Sequence, residues 1–178
     1  PSTPFLLGDI RSIPTTAFEK ALKGRRPDVI IGGPPCQGLS TLGDRHSADP
    51  RNLLVDEFVR IAEALRPQVV VVENVRAITT EYRGRYRDHV LKRFSDIGYS
   101  IECHVLDAAN YGVPQYRKRA FFVGFADHHV RYEPPAPSHG EDLLPLETVG
   151  DAIGDLETAG PEVHNHVPLR HGDIVIAR

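Results

Sequence analysis

A chain of 178 residues with 21 Lys plus Arg against 24 Asp plus Glu, and hence a formal net charge of −3, has the size and balance of one globular domain. At 40% apolar and 25% charged residues it can bury a core, which excludes a disordered tail. No run reaches the roughly 18 apolar residues of a membrane helix or shows the basic-then-apolar order of a secretory signal, so a cytoplasmic location with no membrane partner is expected.

Two cysteines, Cys36 and Cys103, lie outside any C-x-x-C pair, so neither a disulfide scaffold nor a zinc ribbon is expected. The chain starts at Pro1 and contains no Met, and it reads as a segment of a longer protein. Charge divides it. Residues up to Arg131 sum to about +4, whereas Tyr132 to Leu169 holds acids and no Lys or Arg. We therefore expect a core over 1–131 and an acidic, Pro-rich, surface-hugging segment over 132–178.

In chain order, Phe5-Leu6-Leu7 reads as a strand ending at Gly8-Asp9. A short helix follows, entered at Pro14-Thr15-Thr16, carrying Phe18 and Leu22 one turn apart and stopped by Gly24. Asp28 to Ile31 is the next strand, ending at Gly32-Gly33. Asp49-Pro50 then opens a helix whose Leu54, Phe58, Ile61 and Leu65 recur at spacings of four and three. Val69 to Val72 has the continuous β-branched character of a central strand covered on both faces, and it leads into Glu73-Asn74.

A further helix uses Val90, Leu91, Phe94 and Ile97 before Gly98; Ile101, Cys103 and Val105 then alternate, and Ala120 to Val123 is a last strong strand. Past Tyr132 only a short helix from Thr148 to Leu156, with a Thr-x-x-Asp start, is expected among the prolines. Strands alternating with helices indicate an α/β fold, a mostly parallel sheet with crossover helices.

Ligands of such sheets collect outside the carboxyl ends of the strands, which here carry Asp9, the Gly32 to Gln37 loop and Glu73. Cys36, behind Gly32-Gly33-Pro34-Pro35, is presented from a stiff loop, which suits a nucleophile; the alternative is a small buried apolar residue. Cys103, in register with Ile101 and Val105, reads as structural. Glu73 after an all-valine run is costly unless paired or protonated, so it is either a general acid, a solvated strand-end carboxylate, or a partner of Arg117 or Arg119.

Alternation places Gln115, Arg117 and Arg119 on one face, converging two guanidiniums and an amide as for an anion or a base. A second basic region, Arg76, Arg83, Arg85, Arg87, Lys92 and Arg93, is either a phosphate contact or a solvated helix face. His164 and His166 lack a third ligand at suitable spacing, so no metal site is expected. A Cys hydrolase would need a histidine beside Cys36, and the nearest in sequence is His46.

Pro34-Pro35-Cys36-Gln37, Glu73-Asn74-Val75 and Gln115-x-Arg117-x-Arg119, in this order and with Arg51-Asn52-x-Leu54 between the first two, resemble the motifs of DNA cytosine-5 methyltransferases of the bacterial restriction-modification type. Pro137-Ser138-His139, Thr148 to Ile153 and His166 to His171 resemble the segment preceding that family's target recognition region. The resemblance implies a Rossmann-like S-adenosylmethionine-dependent fold, here incomplete, and double-stranded DNA as partner.

It further implies a cytosine swung out of the duplex, attacked at C6 by the Cys36 thiolate so that C5 takes the methyl group. In this pattern Glu73 serves N3 and the exocyclic amine, Arg119 the cytosine O2, and Arg117 a phosphate or the loops. Pro34, Gln37, Ser40, Asn74 and Gln115 fall at substrate-binding positions, with Gly38 to Asp49 a loop that closes over DNA. For the cofactor the resemblance implies Asp9 at the adenine amine, Ile10 on the adenine face, and Gly33, Pro35 and Leu54 around it.

The family's Phe-x-Gly-x-Gly loop and ribose-gripping acid are expected before Pro1 and its recognition region after Arg178, in the same protein or in a complementary chain. The alternatives are a relative acting on RNA and a catalytically silent assembly module.

Overall fold

A computed structural model describes residues 4–35, 54–158, 160 and 163. Its helices are α1 (Thr15–Ala21), α2 (Leu54–Leu65), α3 (Arg85–Asp96) and α4 (Val149–Ile153); its strands are β1 (Val29–Gly32), β2 (Val69–Val75), β3 (Ser100–Asp107) and β4 (Lys118–Phe125). The four strands form one sheet in the order β1-β2-β4-β3. β1 runs parallel to β2, but β4 is antiparallel to both β2 and β3.

The α/β fold with helices packed on a mostly parallel set of strands is present, and among the described strands the sheet is mixed: β1, β2 and β3 share a direction, and β4 alone is reversed between the last two. The physical reason lies in the connection 108–117, which is shorter than the dozen or so residues that a parallel crossover needs. It can only turn the chain back, and Asp107 opposite Lys118 is where the returning strand begins.

Helices α2 and α3 lie on one face of the sheet. Val55, Phe58, Val59 and Ala62 of α2, with Val90 and Phe94 of α3, close over Val70, Val72, Ala120 and Phe122. Each fully buried large side chain in this layer contributes ~1.5–3 kcal/mol. The four valines of β2 therefore alternate, Val70 and Val72 buried and Val69 and Val71 half-buried, and are not covered on both faces. Phe94 packs edge-on against both Phe58 and Tyr99, whose hydroxyl donates to the Pro67 carbonyl at 2.7 Å.

Phe5-Leu6-Leu7 is not a strand. It pairs with no strand among the described residues, and Phe5 and Leu7 are exposed. The opening at Asp49-Pro50 lies outside the described residues. The short helix expected from Thr148 is present as α4, where Thr148 and Asp151 make a reciprocal capping box. Upstream, Ser138 and His139 both donate backbone N–H groups to the Asn110 carbonyl, and Tyr111 Oη donates to Pro135 O at 3.0 Å, so this segment lies against the β3–β4 connection. Among the described residues no helix is long and apolar enough to cross a membrane.

Candidate active site

Glu73 sits two residues from the end of β2 on the face turned away from the α2–α3 core. The register sets Phe121 opposite Glu73 and Arg119 opposite Val75, so Glu73 and Arg119 are diagonal neighbours across the β2–β4 ladder. Their side chains meet: Arg119 Nε donates to Glu73 Oε1 at 2.9 Å, with 22% and 37% of the two side chains exposed. Glu73 is thus paired with Arg119, and its half-open position leaves room for a ligand beside it.

A cavity of about 350 Å³ opens here, lined by Glu73, Arg117, Arg119, Leu106, Tyr111 and Phe121 among others. Its walls are largely apolar, with the charged groups at one side. The loop carrying Arg117 is fixed through Asp107, whose carboxylate accepts from Arg117 N at 3.0 Å, while Ala108 N donates to Arg117 O at 3.1 Å. Both guanidiniums therefore reach one cavity. Gln115 does not join them: it is exposed, it precedes β4, and it does not line the cavity, so the strand alternation that predicted its convergence does not extend back to it.

The loop after β1 arrives on the other side of Glu73. A Cβ on Gly33 would lie 3.3 Å from Glu73 Oε2 and 3.8 Å from its carbonyl, so the backbone passes Glu73 at a distance suited to glycine. Asn74, 7% exposed, turns the opposite way and donates Nδ2–H to Pro34 O at 3.0 Å, while its Oδ1 accepts from Val75 N at 2.9 Å. The structure thus brings Asn74 to the loop backbone and not to the open face. Cys36, Gln37 and Ser40, and likewise His46, His164 and His166, lie outside the described residues.

Ile10, Gly33, Pro35 and Leu54, expected at the cofactor, all line one apolar cavity of about 1000 Å³ between α1, α2 and the edge of β1. Phe18, Ile30 and Phe58 complete much of its surface. Asp9 does not line it. Its carboxylate accepts from Arg11 N and from Arg11 Nε, both at 3.0 Å, capping the turn Ile10–Ser12, and this pairing lowers its pKa to about 2.

Sequence reading missed Arg60, which donates Nη2–H to Ile10 O at 3.0 Å and Ile13 O at 3.1 Å and so ties that wall to α2. Its only advance signal was a cation at i+3 from Glu57, to which it bonds at 2.8 Å. Cys103 is a half-buried thiol, and burial pushes its pKa up to about 11, as its structural assignment requires. Among the described residues no cluster could hold a metal ion.

The C-5 cytosine-specific DNA methylase family matches this chain over residues 3–168. The Type II methyltransferase M1.HphI of Haemophilus parahaemolyticus is 37% identical over 179 residues, covering 96% of this chain and 46% of that protein. The Type II methyltransferase M.AquIA of a Picosynechococcus species is 36% identical, covering 90% of this chain and 74% of its own length. A crystal structure provisionally assigned as a DNA modification methyltransferase, encoded within an E. coli prophage, superposes with a TM-score of 0.62 at 29% identity, over 82% of this chain and 40% of that one. The chain thus spans about half the length of some relatives and three quarters of another. With this fold and a family match over residues 3–168, the chain belongs to the C-5 cytosine-specific DNA methylase family.

Proposed function

We propose that this chain carries the catalytic half of a DNA cytosine-5 methyltransferase that works on a base turned out of the duplex. The observation that supports the reading most is the passage of Gly33 against Glu73, because the loop that lines the apolar cavity with Gly33, Pro34 and Pro35 then touches the carboxylate that lines the other cavity. A base held by Glu73 and Arg119 would lie on one side of that loop and a methyl donor on the other. The apolar cavity fits S-adenosylmethionine in size and lining, within the range of cofactor sites. Ile10, Pro35 and Leu54 would hold its adenine end, and when bound it supplies an electrophilic methyl group.

This chain's residues do the rest. Cys36, one peptide bond beyond Pro35, adds as thiolate to C6 of cytosine, which makes C5 nucleophilic; after methylation C5 loses its proton and the thiolate leaves. Glu73 holds a proton at N3 and accepts from the exocyclic amine, and Arg119 donates to O2. Arg117 buttresses the pocket or meets a phosphate. The remainder of the cofactor pocket comes from a further segment, of the same protein or of a complementary chain. β1 supports this: among the described strands it pairs on one side only, and Val29 and Ile31 are 53% and 73% exposed.

Covalent trapping on a duplex containing 5-fluorocytosine, with S-adenosylmethionine, tests the reading in the intact protein. Wild type forms a stable adduct and Cys36→Ser forms none while still binding DNA. Methyl transfer preserved in Cys36→Ser overturns the mechanism.

A further inference from the structure

The structure sorts the six cations that follow β2. Arg87 pairs with Asp88 at 2.7 Å, Lys92 with Asp96 at 2.8 Å, and Arg93 with Asp56 at 2.6 Å, so three of the positive charges are balanced where they stand. Arg76, Arg83 and Arg85 are exposed, and among the described residues none of them has an acidic partner.

Their placement is specific. Arg76 follows directly on Val75, which lies opposite Arg119 in the ladder, so it stands at the end of the sheet where Glu73 and Arg119 meet. Beyond it the chain makes the turn Glu81–Gly84, where Tyr82 (φ 49°), Arg83 (φ 57°) and Gly84 (φ 76°) are consecutive left-handed residues. Two non-glycine residues in that region are uncommon. Gly84 is buried, and a Cβ there would come within 3.3 Å of the Thr79 carbonyl, which anchors the turn. Tyr82 packs edge-on against Tyr86, with centroids 5.7 Å apart, and Arg83 and Arg85 are left on the surface either side of the anchored glycine.

Resting on the methyltransferase reading, we infer that Arg76, Arg83 and Arg85 form a phosphate-contact strip that grips the duplex backbone flanking the extruded base and carries affinity without sequence readout. Guanidiniums with no carboxylate to neutralise them suit phosphate oxygens, which accept two N–H bonds from one planar group. A polymer whose target base enters the Glu73 cavity brings its flanking phosphates to this end of the sheet. Arg117 borders the same cavity from the β4 side.

The test compares the intact protein with the triple variant Arg76→Gln/Arg83→Gln/Arg85→Gln in binding to a duplex across a salt series. Each lost phosphate contact flattens the slope of log K against log salt by ~0.9, so the triple variant flattens by ~2–3, equally on cognate and unrelated sequences. The triple Arg→Lys variant restores most of the slope. A control removing the same charge from α1 and the segment after it, Lys20→Gln/Lys23→Gln/Arg26→Gln, keeps the wild-type slope. An unchanged slope in the arginine variant, or equal flattening in the control, overturns the strip. A wild type that traps 5-fluorocytosine while the arginine variant keeps its slope sinks the strip alone; a wild type that binds no duplex sinks the methyltransferase reading as well.

Discussion

Asn74 holds the Pro34 carbonyl at 3.0 Å from a buried position, and the residue before it, Glu73, faces the opposite side of the same strand toward Arg119. Strand alternation therefore separates two tasks between adjacent residues. One carboxylate is presented to the open cavity, and one amide fixes the loop at Pro34, two residues before Cys36 in the sequence. The amide suits this position because it offers a donor to Pro34 O and an acceptor to Val75 N at once.

Replacing Asn74 by Asp tests that division. The carboxylate keeps the bond from Val75 N but sets an oxygen against the Pro34 carbonyl, leaving a buried acceptor without its donor. We expect a loss of ~1–3 kcal/mol in unfolding free energy. Single-turnover methyl transfer should fall further than DNA affinity, because the loop is displaced while the groups facing DNA remain. Equal losses in both would mean that Asn74 meets the substrate directly.

Adjacent glycines give a second contrast. A Cβ on Gly32 would lie 2.6 Å from the Phe58 ring, in the core, whereas one on Gly33 meets Glu73 Oε2 at 3.3 Å. Gly32→Ala should therefore cost ~1–3 kcal/mol of stability by overpacking against a ring with little room to move. Gly33→Ala should leave the melting temperature within a few degrees and slow turnover, since a displaced Glu73 loses its pairing geometry. The reverse pattern in thermal melts and initial rates would contradict the placement of the loop.

Much of this was legible in advance because the relevant signals are local. The valine run, the glycine pair, the Thr148–Asp151 cap and the period of α2 and α3 each specify their own element. Pairing direction was not local: that β4 inserts between β2 and β3 in reverse depends on a connection too short for a crossover, and alternating strands and helices look alike either way. Phe5-Leu6-Leu7 has strand composition but pairs with no strand among the described residues. At the site, Glu73, Arg117 and Arg119 converge as read, whereas extending alternation back to Gln115 fails because β4 starts at Lys118. Arg60 was illegible, since its targets are backbone carbonyls some 50 positions away.

Cys103 makes a pH-dependent prediction. Its thiol titrates near 11 in the fold against 9.0 as the ordinary value, because burial disfavours the thiolate. Unfolded chains thus release this proton first as pH rises, and the stability tied to the neutral thiol, complete below pH 9, declines between about 9 and 11. Denaturant titrations across that window should show a steeper fall for wild type than for Cys103→Ala. At neutral pH, alkylation should reach Cys103 only after unfolding; rapid labelling of Cys103 in the native protein would contradict its burial.

Arg60 should act on cofactor binding from a distance. Its guanidinium spans Glu57 on its own helix and the carbonyls of Ile10 and Ile13, so it holds the Ile10 wall of the apolar cavity against α2 without lining that cavity itself. In Arg60→Ala the carbonyls turn to water and the wall loosens. The stability cost is modest, about 1 kcal/mol, because the carbonyls can be solvated where the side chain is part-exposed. Arg60→Lys keeps the charge but cannot reach two carbonyls from one planar group. Both variants should raise the KM for S-adenosylmethionine several-fold while kcat and the KM for DNA stay close to wild type. A fall in kcat at saturating cofactor would instead place Arg60 in the path from the cavity to Glu73, a connection its hydrogen bonds do not make.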